Sequence, residues 1–196
     1  PRSSSAASDV YKRQLLPSLS AMVQQLPQSL VEVIDWFHQN NANVWIVGGA
    51  IRNALLGTNI VEFDLATTLT PDEMKAYPDT IPTGERYGTV TFRNDGDSYE
   101  VTTLRTEFGY NDGRRPDEVK WGDSLLVDLS RRDLTMNSLA VDPVNLVFYD
   151  PFDGQGDLQH GRIRSVGDAT KRLSEDALRI MPVSYTHLTL PTKNEV

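Results

Sequence analysis

The amino-acid sequence predicts an α+β fold, in which a mixed or antiparallel sheet is flanked by helices. Two observations support this class. Short β-rich runs alternate along the chain with segments in which apolar residues recur at helical spacing. One pair of β-rich runs also encloses Asn94-Asp95-Gly96-Asp97, a turn sequence that is typical of a hairpin. The 196 residues are enough for one domain with a hydrophobic core.

The first predicted elements are a helix and a buried strand. Leu30, Ile34 and Phe37 recur at helical spacing, which predicts a helix over residues 27–40. The apolar run Val44–Val47 then predicts a short buried strand that stops at two glycines.

A second helix and a second strand are predicted next. Residues 50–56 favour a helix, and Gly57 stands at the position of a C-terminal cap. Residues 60–66 alternate between polar and apolar side chains, which predicts a strand.

The remaining predicted elements are a capped helix, a hairpin and two later helices. Thr70-Pro71-Asp72-Glu73 combines an N-cap, a proline at the first helical position and a capping-box glutamate. Residues 89–93 and 99–104 are the β-rich runs on either side of the hairpin turn. Further helices are predicted near residues 132–140 and 170–181.

Composition limits the function classes. The chain has no cysteine, which excludes a disulfide scaffold, a thiol nucleophile and a thiolate zinc site. Neither a membrane-spanning apolar run nor a signal-peptide pattern is present, so we expect a cytoplasmic protein without membrane contact. The formal charge of -8 argues against this chain alone holding a long nucleic acid through phosphate contacts.

Both ends of the chain differ from the rest. Residues 1–14 and 182–196 show no periodicity that continues into their neighbours, and they resemble translated sequencing-adapter read-through. We expect both segments to be non-native, and the native protein to continue beyond Met181. Two natural disordered tails are the alternative.

A diglycine turn is the first candidate binding feature. A strand that ends at Gly48 and Gly49 and opens a helix allows backbone N–H groups to approach a phosphate closely. Arg52 adds a guanidinium suited to phosphate oxygens. Alone, such a turn is more often only a tight connection, and it matches neither the Walker A pattern nor the dinucleotide fingerprint.

Three carboxylates follow the diglycine turn. Glu62 and Asp64 alternate on the predicted strand, so both should point to one face. Carboxylates and substrate phosphates are the ligands that magnesium prefers, and two such ions can stabilise an in-line displacement. Glu100 supplies a third acid on the hairpin strand. Together with the turn, these acids indicate nucleotidyl transfer; for any single acid, a solvated strand face remains the alternative.

Several motifs resemble the catalytic head of the class II tRNA nucleotidyltransferase and bacterial poly(A) polymerase family, within the polymerase-β-like superfamily. Its first signature corresponds to Gly48-Gly49-Ala50-Ile51-Arg52-Asn53 and Glu62-Phe63-Asp64-Leu65-Ala66-Thr67. Its second corresponds to Arg131-Arg132-Asp133-Leu134-Thr135-Met136-Asn137, and its base-reading signature to Glu175-Asp176-Ala177-Leu178-Arg179. The motifs occur in the family's order.

The resemblance implies a division of the chain and a role for each motif residue. Residues 15–167 would form the catalytic head, and residues 168–181 would begin a helical neck with the base-reading helix. The implied triphosphate ligands are Gly48, Gly49 and Arg52, with Arg132 and Asn137 around the sugar and phosphates. Glu62 and Asp64 would bind two magnesium ions, with Glu100 as the third acid. Asp176 and Arg179 would read the base of CTP or ATP.

The implied activity is template-independent addition of CMP and AMP to the tRNA 3′ end, with release of pyrophosphate. Poly(A) synthesis and partial CCA addition are the alternatives within the family. Two departures from its pattern bear on the chemistry, namely Asn53 and Glu62 where the family has aspartate. Because Glu62 places its carboxylate about 1.5 Å further out, an impaired nucleotide-binding module is the second alternative.

Overall fold

A computed structural model describes residues 12–108 and 118–168 of the chain. Within these residues, eight strands form one sheet in the order β1-β10-β9-β2-β3-β6-β5-β4, and β7 and β8 form a separate ribbon. The strands are β1 (Lys12–Gln14), β2 (Val44–Val47), β3 (Asp64–Thr67), β4 (Thr80–Gly84), β5 (Thr89–Asn94), β6 (Asp97–Thr103), β7 (Arg105–Phe108), β8 (Glu118–Trp121), β9 (Ala140–Asp142) and β10 (Val147–Tyr149).

The helices pack on both faces of the large sheet. They are α1 (Pro17–Gln24), α2 (Gln28–Gln39), α3 (Gly49–Leu56), α4 (Pro71–Met74), α5 (Leu125–Ser130) and α6 (Gly154–Gln159), with 3₁₀ turns at Glu85–Tyr87 and Thr135–Asn137. In the large sheet β3 and β6 run parallel, whereas all other neighbouring strands are antiparallel. The predicted α+β class with a mixed sheet is therefore confirmed.

Two hydrophobic clusters divide the interior. The larger cluster joins helices α1 to α4 to one face of the sheet, and it contains Phe37, Ile46, Leu65 and Val101. The smaller cluster lies on the opposite face beneath α5, and it contains Val47. Since side chains alternate along a strand, residues next to Leu65 and Val101 face the second side.

Most of the locally coded elements are confirmed. The helix predicted over residues 27–40 is Gln28–Gln39, and the strand Val44–Val47 has the predicted bounds. Gly57 caps its helix with φ 67°, and Thr70 and Glu73 form both hydrogen bonds of the capping box. In the hairpin turn, Asp95 and Gly96 have φ of 48° and 86°, as a type I′ turn requires.

The helix predicted near residues 132–140 is wrong. Those residues form the short turn Thr135–Asn137 and then the central strand β9, while the helix of this region lies earlier, at Leu125–Ser130. In a helix, the backbone N–H groups here would donate to carbonyls of the preceding turn. Instead, the N–H of Leu134 donates to the Asp133 carboxylate at 2.7 Å, and that of Thr135 donates to the Arg164 carbonyl at 2.9 Å.

Two other sequence-based expectations differ from the structure. The strand predicted over residues 60–66 begins only at Asp64, because its partner β2 ends at Val47. At the N-terminus, Lys12–Gln14 pairs with β10 as an edge strand, although residues 1–14 showed no strand pattern. The helix predicted over residues 170–181 lies outside the described residues. No helix in the described part of the chain has the length and apolar character to span a membrane.

Candidate active site

The diglycine corner joins β2 to α3. Gly48 has φ 71° and ψ -125°, a conformation that only glycine adopts readily. Its N–H donates to the Leu139 carbonyl at 3.1 Å, which ties the corner to the segment before β9. A Cβ atom at Gly48 would lie 3.4 Å from Nη1 of Arg132. The corner is therefore open enough for an arginine of the second motif to reach it.

Arg52 lies one turn into α3 and is held on two sides. Its Nη1 donates to Oδ1 of Asn137 at 2.7 Å, and its Nε donates to Oδ1 of Asn53 at 3.2 Å. Burial lowers the pKa of Arg52, and the charge of Asp133 partly opposes this effect. Asn53 thus retains an acceptor for Arg52 where the family carries an acid.

The second motif completes this hydrogen-bonded chain. Asn137 donates from Nδ2 to Oδ1 of Asp133 at 3.3 Å while it accepts from Arg52. Thr135, in the turn that carries Asn137, donates a hydroxyl hydrogen bond to the buried carboxylate of Asp157 in α6 at 2.6 Å. This bond fixes the turn against α6. The Gly-Gly-x-x-Arg motif and the Arg-Arg-Asp motif, far apart in sequence, therefore meet at one place.

The acids lie beside the same corner. Asp64, the first residue of β3, pairs with Val47, which directly precedes Gly48. Asp64 and Glu100 each precede one member of the parallel pair Leu65 and Val101, so they are neighbours on the second face of the sheet. Asp64 is partly buried.

The charges of two other carboxylates act on Asp64. Burial raises the pKa of Asp64, and the negative charges of Glu62 and Glu100 raise it further, whereas Arg132 lowers it. A partly buried carboxylate among like charges is unfavourable without a cation. The site therefore favours binding of positive charge next to Asp64.

Glu62 differs from its predicted position. It lies two residues before β3 and is exposed, so it does not alternate with Asp64 on one strand. Its charge nevertheless acts on Asp64. The predicted pair is thus one carboxylate fixed by the sheet and one on a segment without strand pairing.

Arg132 connects the corner to a buried acid that sequence reasoning missed. Asp128 of α5 is only 1% exposed, and its Oδ2 accepts from Nη2 of Arg132 at 3.3 Å. Its Oδ1 accepts from Nε and Nη2 of Arg131 at 3.1 and 2.8 Å. Burial raises the pKa of Asp128, but the arginines outweigh burial and hold it below the ordinary value. The i,i+3 and i,i+4 spacing of Asp128 to two arginines was the available signal.

The donor set suits magnesium, although it is not a closed metal site. Across residues 12–108 and 118–168, no group of three or more acidic or histidine side chains is arranged to hold a metal ion. The oxygen-only donors nevertheless match magnesium, which usually takes one or two carboxylates together with water and substrate phosphates. Asp176 and Arg179, the predicted base-reading residues, lie outside the described residues.

Comparison with known proteins agrees with the resemblance seen in the motifs. The family model of the poly A polymerase head domain matches residues 44–164. The CCA-adding enzyme of Lactobacillus johnsonii is 44% identical over 163 residues, which cover 81% of this chain and 41% of the relative. That of Geobacillus thermodenitrificans is 44% identical over 155 residues, which cover 79% and 38%. The chain spans about two fifths of the length of these relatives.

Solved structures show the same fold. The crystal structure of Bacillus stearothermophilus CCA-adding enzyme in complex with CTP has a TM-score of 0.70 at 39% identity, over 79% of this chain and 37% of that chain. The Thermotoga maritima CCA-adding enzyme complexed with tRNA-CCA has a TM-score of 0.65 at 20% identity, over 88% and 40%, which shows likeness of fold alone. Because the family model matches well over half of the chain, the chain belongs to the poly A polymerase head domain family.

Proposed function

We propose that this chain is the catalytic part of a nucleotidyltransferase that adds CMP and AMP from CTP and ATP to the 3′ end of tRNA. One observation carries the proposal. The diglycine corner, Arg132 and Asp64 meet where the central strand β2 ends and β3 begins. Relatives at 44% identity are named CCA-adding enzymes, and one such enzyme at 39% identity was solved with CTP.

The residues of the corner bind the triphosphate in this proposal. The first N–H groups of α3 have no acceptor within the helix and point toward the corner. Arg52 and Arg132 supply charged donors for the phosphate oxygens. Asn137 orients Arg52 through the 2.7 Å hydrogen bond, so its contribution to nucleotide binding is partly indirect.

The reaction itself is a displacement at the α-phosphate. The tRNA 3′ oxygen forms a bond to the α-phosphorus, and the bond from this phosphorus to the oxygen it shares with the β-phosphate breaks. Pyrophosphate leaves with that oxygen, and the hydroxyl proton passes to solvent. Asp64 and Glu62 would hold magnesium, with Glu100 as the third acid; magnesium supplies charge stabilisation for the attacking and leaving oxygens. The carboxylates provide negative charge beside the diglycine corner, and the arginines orient the triphosphate.

Base selection and tRNA binding complete the proposal. Asp176 and Arg179 are three residues apart, and on a helix they would share a face that offers an acceptor and a donor to cytosine or adenine. We assign most of the tRNA contact to the parts of the relatives that this chain does not span, since its formal charge is -8. The cytoplasm, where tRNA and both nucleotides meet, is the proposed compartment.

The test uses a chimera, in which the C-terminal part of the Geobacillus thermodenitrificans CCA-adding enzyme is joined to this chain after residue 181, so that Asp176 and Arg179 of this chain are retained. The chimera is incubated with magnesium and a tRNA that lacks its terminal CCA. We expect two cytidines and one adenosine to be added, and Asp64→Ala to stop addition. Long adenylate tails would instead indicate a poly(A) polymerase, and addition of only C or only A would indicate a partial enzyme.

Glu62→Asp tests whether the longer acid limits the reaction. Aspartate shortens the side chain by about 1.5 Å, and magnesium requires near-octahedral coordination at about 2.0 to 2.1 Å. We expect the chimera to be active with Glu62, and kcat to rise by up to about 10-fold with aspartate, as measured by single-nucleotide incorporation. If the chimera is inactive and only Glu62→Asp restores turnover, the chain is a nucleotide-binding module instead.

A further inference from the structure

We propose that Asp128 is a positioning residue, whose buried carboxylate holds Arg132 at the diglycine corner. The catalytic readout of this inference rests on the proposed function. Asp128 lies in α5, and within the described part of the chain its carboxylate bonds to arginines and to neither Gly48 nor the acids, so it would act through Arg132.

The two oxygens of Asp128 have separate partners. Oδ1 accepts from Nε and Nη2 of Arg131 and, at 3.4 Å, from the backbone N–H of Arg105. Oδ2 accepts from Nη2 of Arg132 at 3.3 Å. Since Oδ1 is already used, the second oxygen is available to Arg132.

Arg132 depends on this contact for its placement. Within the described residues, Asp128 is the one hydrogen-bond acceptor of the Arg132 side chain, and Nε of Arg132 is buried without a partner. The other terminal nitrogen, Nη1, lies 3.4 Å from where a Cβ of Gly48 would stand. The guanidinium is therefore anchored at one end and presented to the corner at the other.

The corner that Arg132 reaches adjoins the acids, because Asp64 pairs with Val47, which directly precedes Gly48. Asp128 therefore fixes a cationic donor for phosphate oxygens beside the acids of the site.

The experiment compares the chimera with its Asp128→Asn variant, which preserves shape and removes charge. We expect the KM for CTP to rise on the order of 10-fold, with kcat changed less than about 3-fold. The KM for tRNA should stay unchanged, because the substitution affects nucleotide binding and not tRNA binding. Asp128→Glu should recover part of the loss. In an Arg132→Ala background, Asp128→Asn should add less than about 2-fold, because both changes remove one interaction.

Two controls separate positioning from loss of stability. Asp157→Asn removes another buried carboxylate that pairs with two arginines, and Asp72→Asn removes an exposed one that pairs with Lys75. Nitrogen-15 relaxation of the Arg132 Nε–H group in the full chain reports its order directly. We expect Asp128→Asn to mobilise this group and neither control to do so.

Several outcomes would overturn the inference. It fails if the KM for CTP stays the same, if the KM values for CTP and tRNA rise together in proportion to a lower Tm, or if the effects of Asp128→Asn and Arg132→Ala are additive. If the unmodified chimera adds no nucleotide, the proposed function fails instead. The relaxation measurement then decides the inference, and an unchanged Arg132 signal refutes it.

Discussion

Asp64 shows at the scale of one residue how a binding site costs stability. Its carboxylate is partly buried beside two others, and burial together with Glu62 and Glu100 raises its pKa. The folded state therefore binds a proton more readily than the unfolded state does. Between the ordinary and the raised pKa, stability falls as the pH rises, and at neutral pH the charged carboxylate opposes folding.

Asp64→Asn should consequently stabilise the fold while it abolishes catalysis. Removal of the charge relieves the repulsion, and we expect Tm at pH 7 to rise by about 2 to 4 °C. Thermal unfolding at pH 7 and at pH 4 checks this, because the gain should shrink as the pH falls through the raised pKa of Asp64 and the carboxylate takes up a proton. An equal gain at both values, or a loss of stability at pH 7, would contradict the assigned repulsion.

Asp128 should show the opposite dependence on pH. Its pKa lies below the ordinary value because the arginines outweigh burial, so its contribution to stability is present at neutral pH and is lost as the pH falls through the lowered pKa. We expect Asp128→Asn to lower the free energy of unfolding by about 3 kcal/mol at pH 7. Urea unfolding at pH 7 and pH 3 should show this difference narrowing at pH 3; a constant difference would be inconsistent with a charged role.

Individual residues were predictable to different degrees. The spacing of the motifs indicated that Gly48, Arg52 and Asp64 belong to one site, and the structure brings them together. Asp128 was missed because its sequence context resembles an exposed helical ion pair, and only packing of α5 on the sheet buries it. Burial of a charged group is a tertiary property, whereas spacing is local.

At the scale of elements, α6 supports the site by very close contact. A Cβ atom at Gly154 would lie 2.2 Å from the Thr135 carbonyl oxygen, which is backbone and cannot move alone. Asp157 of the same helix accepts the Thr135 hydroxyl hydrogen bond. Because the turn Thr135–Asn137 carries the acceptor of Arg52, the position of α6 determines the position of that arginine.

Gly154→Ala should therefore weaken both the fold and nucleotide binding. The added methyl group has to push α6 away from the turn, which we expect to cost about 1 to 3 kcal/mol and to reduce CTP affinity. Chemical unfolding and CTP titration of the full chain measure both effects. Gly122→Ala is the matched control, since its Cβ would meet one atom at 4.0 Å. A similar loss of stability and CTP affinity in the control would show that close contact at Gly154 is not the cause.

Elements with local signals were predicted, and those that depend on distant partners were not. Thr70 and Glu73 fix the start of α4 through hydrogen bonds within four residues. In contrast, β9 forms where a helix was predicted, because it pairs with β2, which is remote in sequence, as well as with the adjacent β10. The start of β3 was set by the end of β2 in the same way.

At the scale of the whole molecule, charge separates nucleotide binding from tRNA binding. The formal charge of -8 disfavours contacts to a phosphate backbone, while Arg52 and Arg132 concentrate positive charge at the corner. We expect the chain alone to bind CTP with magnesium but to bind tRNA weakly, and the chimera to bind both. Fluorescence titrations at two salt concentrations measure this. Tight, salt-sensitive tRNA binding by the chain alone would show that its own surface holds tRNA.

The sequence by itself determined the class of fold, the turn and cap chemistry, and the set of motifs that places the chain in its family. These follow from backbone preferences and side-chain spacing over a few residues. Only the tertiary structure decided that the end of β2 meets the start of β3 and the turn before β9, and that Asp128 is buried against two arginines. Strand pairing and burial depend on residues far apart in the chain, and the periodicity of a single segment carries no information about its partner.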